Sequence, residues 1–502
     1  MQTIAAIDVG SNAVRLVVGR IGYAEKLETL DNIRLPVRLG EDVFSHGHIG
    51  EQTAQQLLDA FVHFRKVAQD YGVQHIRAVA TSALREAKNS DILRDRIARR
   101  TGIDIQIIRW EEEARLIHLA VATAVNLKGK NALLIDIGGG SVEVTISRGR
   151  NILSTESYNM GTVRLLQKLA RKPSRVSFAE LVSEYAAAIK RRIHSEIGGD
   201  KIELCIGTGG NIEEMGVLRK KLFHRESDDA ITLPELEKLI RVLSAMTVNE
   251  RMRKLKLKPD RADVILPACI VLRVIAQEAH VKEIKIPHVG LKDGILLDLA
   301  GSLSKIHQPV PREQVWTSAL RLGEKYQFDA EHGKSVAHLA GSLFDQAQPL
   351  HGLDSEHKLL LEVAALLHDI GYFISALNHE RHGYYILQAN PLIGLTEREQ
   401  AIVANLVRYH RKSMPTAQDE NLRVLNSADR LLVIKLAGLL RLADAMDVTH
   451  TGRVRRVDVR LSRRKCCLRL QGESGLSLEH WALGKRRSMF QDVFGLRLEI
   501  EA

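Results

Sequence analysis

Cysteine is scarce in this chain. Its 502 residues include four, Cys205, Cys269, Cys466 and Cys467, two of them adjacent and none in a Cys-x-x-Cys pair. That usage excludes a disulfide framework and a zinc–thiolate site, and it implies a reducing compartment. Long apolar runs are also missing: stretches such as Val264 to Leu272 are short and broken by charge, far below the roughly 20 apolar residues of a membrane span. The opening MQTIAAIDVG carries Asp8 where a secretory leader needs an unbroken apolar segment. A cytoplasmic protein that does not enter membranes is expected. No low-complexity tract appears, and 45% hydrophobic with 26% charged residues is ordinary globular composition, which excludes disorder on a large scale.

What is present in excess is positive charge. Lys and Arg number 72 against 61 Asp and Glu, a formal net charge of +11, which favours polyanions without choosing among them. The N-terminal part alternates β-branched runs with amphipathic helical patterns, the signature of an α/β fold. Strands are predicted at 3–7, 76–80, 105–108, 132–137 and 202–206. Leu57, Phe61, Phe64 and Ala68 recur at helical spacing behind Thr53, and Ser177 with Glu180 and Thr232 with Glu235 read as capping boxes. After about residue 300, helical patterns rich in Leu, Ala and His take over, with 307–311 as a linker. Short β-like runs return from Val454.

One internal repeat outweighs the composition. Residues 4–20 read IAAIDVGSNAVRLVVGR and residues 132–148 read ALLIDIGGGSVEVTISR. Aligned without gaps, Asp8 falls on Asp136, Gly10 on Gly138 and Arg20 on Arg148. Each copy is a buried strand, an acid, a glycine-containing turn and a second strand, so two similar lobes facing a common cleft are expected. Glycine turns leave backbone N–H groups uncovered to wrap a phosphate, and Ser11, Asn12 and Ser141 add donors. The Asp that ends each strand can hold magnesium. A third glycine element, Gly207-Thr208-Gly209-Gly210-Asn211, opens a helix, where N–H groups bind anions or simply turn a corner. Arg85 follows a predicted strand and either grips phosphate or lies on a solvated helix face. In Trp110-Glu111-Glu112-Glu113 the acids suit a first helical turn through the helix dipole alone, while a carboxylate beside a phosphate cleft can also activate water.

Taken together, AAIDVGSNAVRL, ATSALREAKN, EEARL, IDIGGGSVE, NMGTVRL and IGTGGN resemble the exopolyphosphatase / guanosine pentaphosphatase family of the actin, sugar-kinase and Hsp70 superfamily. The resemblance implies two actin-like (ribonuclease H-like) lobes, 1–126 and 127–305, with magnesium-dependent release of terminal phosphate between them. It singles out Glu113 as the base that activates water, with Arg85 beside it. Phosphate ligands map to Asp8, Gly10, Ser11, Asn12, Gly138, Gly139, Gly140 and Ser141, joined by Gly207, Gly209 and Asn211 of the third element. Metal ligands map to Asp136 and Glu143. Inorganic polyphosphate is the expected substrate and guanosine pentaphosphate the alternative. A homodimer is implied, and no specific nucleic acid partner.

The C-terminal half adds a second candidate. His332, His368-Asp369, His382, His410 and Asp444, with His379, lie on predicted helices in the order of HD-type metal phosphohydrolases, where imidazole and carboxylate bracket divalent ions. This reading gives an all-α HD-like domain over 310–450 and a small α+β appendage over 451–502. Two alternatives follow: a second metal hydrolase site, or a sensor that binds polyphosphate or guanosine tetraphosphate without turnover. Basic runs at 219–221, 251–258, 463–465 and 485–487 suit a polyanion channel or a solvated surface.

Overall fold

The computed structural model describes residues 2–22, 27–169, 177–197, 201–303, 312–412, 414–416 and 418–501. The chain forms two compact units, Met1–Pro309 and Val310–Ala502. The predicted linker at 307–311 lies outside the described residues.

The first unit holds two sheets. In the first, β1 (Gln2–Val9), β2 (Val14–Ile21), β3 (Leu27–Leu35), β4 (His75–Ala80) and β5 (Ile105–Ile107) lie in the order β3-β2-β1-β4-β5. The second contains β6 (Asn131–Ile137), β7 (Val142–Arg148), β8 (Asn151–Tyr158), β9 (Leu204–Thr208), β10 (Ala230–Thr232) and β11 (Glu283–Lys285). Its order is β10-β11-β9-β6-β7-β8. In each, an antiparallel three-strand meander is continued by parallel strands, so the sequence repeat is a structural one. All five predicted strands form. That at 202–206 runs instead over Leu204–Thr208, because its parallel partner β6 pairs Ala132 with Leu204 and Asp136 with Thr208.

Strands β1, β2, β6, β7 and β9 are buried on both faces because helices cover both, as parallel sheets require. Leu57, Phe61 and Phe64 of the helix Glu51–Asp70 pack on one face of the first sheet. That helix begins two residues before Thr53, directly after Gly50. The other faces share a helix. In Trp110–Ala124, Leu116 packs with Ile4 and Val79 of the first sheet, while Ile117 and Val121 pack with Leu134 and Ile206 of the second. The helix Leu291–Leu303 returns from late in the unit to bury Ile295 and Leu296 in the same layer. Both predicted capping boxes form, at Ser177/Glu180 and Thr232/Glu235.

The second unit packs the helices Arg312–Lys325, Ala330–Gln346, Ser355–Leu367, His379–Ala389, Glu397–Tyr409 and Ser427–Ala445 around one apolar core. A three-stranded sheet, β12 (Val454–Leu461), β13 (Lys465–Gly472) and β14 (Arg497–Glu501), contributes Val457, Leu468 and Leu498 to that core. Among the described residues no helix is long and apolar enough to cross a membrane.

The turn after β6 is gripped by the segment that follows β8. Gly161, Thr162, Val163 and Arg164 donate backbone N–H groups to the carbonyls of Gly140, Gly138, Gly139 and Gly139. A Cβ at Gly161 would lie 2.3 Å from the Gly140 carbonyl carbon and 2.4 Å from that of Gly139. Backbone on both sides leaves nothing to yield. Gly161→Ala is therefore expected to destabilise the first unit by about 1–3 kcal/mol, read as a lower urea midpoint. Gly301→Ala, on a helix with no atom within 4 Å of the new methyl, should leave the midpoint unchanged or raise it by up to about 1 kcal/mol.

Candidate active site

The two hairpins close in the same way. Gly10 donates to Ala13 O at 3.1 Å and Gly138 to Ser141 O at 3.1 Å. The N–H groups of Ser11, Asn12, Gly139 and Gly140 donate to no backbone carbonyl among the described residues. Each strand register sets a side chain opposite the acid: Arg15 faces Asp8, and Glu143 faces Asp136. The tips meet. A Cβ on Gly139 would lie 3.0 Å from Ser11 Cβ, and one on Gly140 would lie 2.3 Å from Ser82 Oγ and 2.6 Å from Phe44. Ser11 and Ser82 hydroxyls hydrogen-bond at 2.9 Å, and Asn12 Nδ2 donates to Asp260 O at 2.9 Å.

Between the hairpins lies a cleft with about 810 Å³ of free space, part of it open to solvent. Asp8, Gly10, Ser11, Asn12, Gly138, Gly139, Ser141, Gly209, Asn211, Glu113 and Asp136 line it. Four sequence-predicted site residues, Arg85, Gly140, Glu143 and Gly207, do not. Gly140 is packed under Ser82, Ser11 and Phe44, and Gly207 stays within β9, where Ile212 and Ile284 close over it. Gly209 takes φ +93°, which brings its backbone against Ile137 O and Asp136 Oδ1 and requires glycine.

At the closed end the shared helix delivers Glu113 from its first turn. Ligand oxygens of Glu113, Asp136 and Glu143 lie within 4.8 Å of one another. Arg85 Nη1 is 3.7 Å from Glu113 Oε2 and donates to Ile108 O at 2.6 Å. Burial raises all three acids. Glu113 is pushed well above its usual value by burial and then by Glu143, against the pull of Arg85. Burial and Asp136 raise Glu143 to about 7, and burial raises Asp136 to about 6 although Thr208 Oγ1 donates to it at 2.6 Å. Glu113 Oε2 and Glu143 Oε2 are buried with no hydrogen-bond donor. Unsatisfied carboxylate oxygens this close fit a hard divalent cation such as magnesium, which takes all-oxygen ligands.

The cleft also holds four cations, which the sequence reading missed. Arg15, Arg34, Arg261 and Lys292 line the cleft. Arg15 Nη1 donates to Asp8 at 3.3 Å, Arg34 pairs with Asp260, and Arg261 Nη1 donates to Asn211 Oδ1 at 2.9 Å. A Cβ on Gly210 would strike both Arg261 and Arg15 guanidiniums, so glycine admits the pair. Burial and then the Arg34 and Arg15 charges lower Arg261 to about 10, still protonated at neutral pH. Arg15 was legible as the residue opposite Asp8 in the repeat; Arg261, on the short helix Pro259–Ala262, carries no local signal.

In the second unit the structure brings His332, His368, Asp369, His410 and Asp444 together. His382 is not among them. His379 occupies that place, its Nε2 3.1 Å from Asp369 Oδ1. Both lie on the helix His379–Ala389, and three residues turn a side chain by about 300° and shift it by ~4.5 Å. Of the basic runs, Arg219 is tied to Glu235 at 2.8 Å, and Arg251 is buried, donating to Leu243 O and Ala262 O.

Comparison with known proteins follows this geometry. Residues 17–303 match the Ppx/GppA phosphatase family, and residues 316–485 match its domain III. The chain is 27% identical over 446 residues to a guanosine-5'-triphosphate,3'-diphosphate pyrophosphatase of Photobacterium profundum, covering 87% of this chain and 86% of the relative. A crystal structure of an exopolyphosphatase from Cytophaga hutchinsonii superposes with TM-score 0.57 at 27% identity, over 60% of this chain and 99% of that one. The Aquifex aeolicus family member shares the fold, with TM-score 0.52 at 22% identity over 60% of this chain and 99% of that one.

The raised acids set a pH dependence. A carboxyl whose folded pKa lies above its unfolded one stabilises the fold below the unfolded value and loses that contribution as pH rises through the folded value. With Glu143 shifted from 4.5 to about 7, the chelator-treated protein should lose stability relative to Glu143→Gln as pH rises from about 4.5 to 7.5. Urea midpoints of the two proteins across that range check this, and parallel curves would refute it.

Proposed function

Because the chain belongs to the Ppx/GppA phosphatase family, whose members act on phosphoanhydride bonds, we propose that this cleft releases the terminal orthophosphate of inorganic polyphosphate. The observation that carries the reading is the pairing of charges in the cleft: buried acids with unsatisfied oxygens, and the cations Arg15, Arg34, Arg261 and Lys292. None of the residues lining it is aromatic, which suits a chain of phosphates better than a base.

The terminal phosphate seats at the hairpin tips, where the free N–H groups of Ser11, Asn12 and Gly139 and the hydroxyls of Ser11 and Ser141 neutralise its oxygens. Glu113 orients a water and takes its proton as the water oxygen bonds to phosphorus. The raised pKa of Glu113 makes it the stronger base once ionised. The terminal P–O–P bond breaks, and the leaving oxygen stays on the shortened chain, whose charge the cleft's cations oppose. Arg85 fixes Glu113 by its 3.7 Å contact. Magnesium, held by Asp136 and Glu143, would neutralise phosphate charge when bound. Most of the rate gain is positioning and electrostatics.

A second reading keeps the chemistry and changes the substrate. Three relatives at 27% identity are named for the pyrophosphatase reaction on guanosine-5'-triphosphate,3'-diphosphate, and the same cleft can take the 5'-triphosphate end of that nucleotide. Phosphate release from long-chain polyphosphate and from guanosine pentaphosphate, at equal terminal phosphate, ranks the two. Glu113→Gln should lower kcat by about 10²–10⁴ on the preferred substrate while retaining binding, and chelator should abolish turnover. Full activity in Glu113→Gln would remove the assignment of the base.

A further inference from the structure

Four buried imidazoles in the second unit are held by the same ring atom. Nδ1 of His332 contacts Asp447 Oδ2 at 2.9 Å, and Nδ1 of His368 contacts Ala365 O at 2.7 Å. Nδ1 of His379 contacts Ala376 O at 3.2 Å, and Nδ1 of His410 contacts Val407 O at 2.7 Å. Carboxylate and carbonyl oxygens only accept, so each Nδ1 carries a hydrogen, and each Nε2 is the atom left to meet a cation, either a proton or a metal ion. The four rings come from separate turns of the chain, and all are 1% exposed or less.

The Nε2 atoms face each other in pairs. His332 Nε2 lies 3.2 Å from His368 Nε2, and His379 Nε2 lies 3.2 Å from His410 Nε2. Two ring nitrogens at that distance need a shared proton or a metal ion to hold them. Two imidazoles on one ion with ~2.1 Å bonds have nitrogens roughly 3.0–3.4 Å apart, which is the spacing seen twice. Asp369 reaches both pairs with different oxygens. Its Oδ2 is 3.8 Å from His332 Nε2 and 3.6 Å from His368 Nε2; its Oδ1 is 3.1 Å from His379 Nε2 and 3.6 Å from His410 Nε2. Asp444 Oδ1 adds a contact to His368 at 3.6 Å, and its other oxygen pairs with Arg486.

We propose that the second unit binds two first-row divalent transition ions bridged by Asp369, with open positions that take a phosphate oxyanion. His332, His368 and Asp444 complete one ion, and His379 and His410 hold the other. Imidazole ligands favour transition ions over magnesium, the reverse of the all-oxygen set in the first unit. Asp447 orients His332, as carboxylates behind metal-bound histidines do. The ion at His379 and His410 has three protein ligands and so leaves room for an external oxygen. Two cations stand at this end: Arg486 on Asp444, and Arg411, whose Nη1 is 3.3 Å from the His379 ring and whose Nε is buried with no partner. Guanidinium beside an open metal position is a phosphate-binding arrangement.

Full-length protein stripped with chelator is titrated with Co²⁺ in millimolar Mg²⁺, which fills all-oxygen sites, and binding is followed by the visible cobalt band. Wild type should take two equivalents. His379→Ala, with native circular dichroism, should take one, and inorganic phosphate should shift the wild-type band. Fewer than two equivalents in wild type would overturn the two-ion site and assign the imidazole pairs to shared protons. Two equivalents in folded His379→Ala would place the ions elsewhere. A band unmoved by phosphate would overturn the oxyanion ligand.

Discussion

Asp8, Glu113 and Glu143 are buried and Asp136 half-buried within a few side-chain lengths of one another, and mutual repulsion among them is the constraint on which the first unit depends. Each is raised by burial, and Glu113, Asp136 and Glu143 also by one another or by Asp8. A folded protein tolerates such a set when protons or cations neutralise it. Arg85 and Arg15 supply part of that neutralisation from within the chain. On the proposed reading the remainder falls to a divalent ion, and the same arrangement then serves a substrate whose charge also needs opposing. The fold and the chemistry share one requirement.

That requirement explains the placement of the helices. Trp110–Ala124 is buried against both sheets, so its first turn enters the cleft from the layer common to the two lobes. Glu113 is thereby fixed relative to both hairpins at once. A base carried on a loop would lack that definition, and a misplacement of about 1 Å can cost a hundredfold in rate. The glycines of the second hairpin tip let that turn approach Ser11, Ser82 and Phe44 of the first lobe, as at Gly139 and Gly140. Any side chain there would separate the lobes.

Much of this arrangement was legible in the sequence because it is local and repeated. A strand, an acid and a glycine turn, occurring twice in register, predict both hairpins and therefore Asp8 and Asp136. The capping boxes were legible for the same reason. What escaped depends on distant parts of the chain meeting. Arg34 and Arg261 come from an outer strand and a four-residue helix, and nothing near them in sequence marks a cleft. Gly207 and Gly140 look like their neighbours in sequence but face packed side chains. His382 and His379 are both plausible ligands until the helix phase is known. Asp447, three residues after Asp444, supports His332 from behind, a role that only contacts reveal.

The central claim is that a water activated at Glu113 attacks the terminal phosphorus. Hydrolysis in water enriched in ¹⁸O, followed by mass analysis of the products, tests it directly. The account predicts one ¹⁸O atom in each released orthophosphate and none in the shortened polyphosphate or nucleotide. Label in the shortened product, or orthophosphate released without label, would contradict attack by water at that atom.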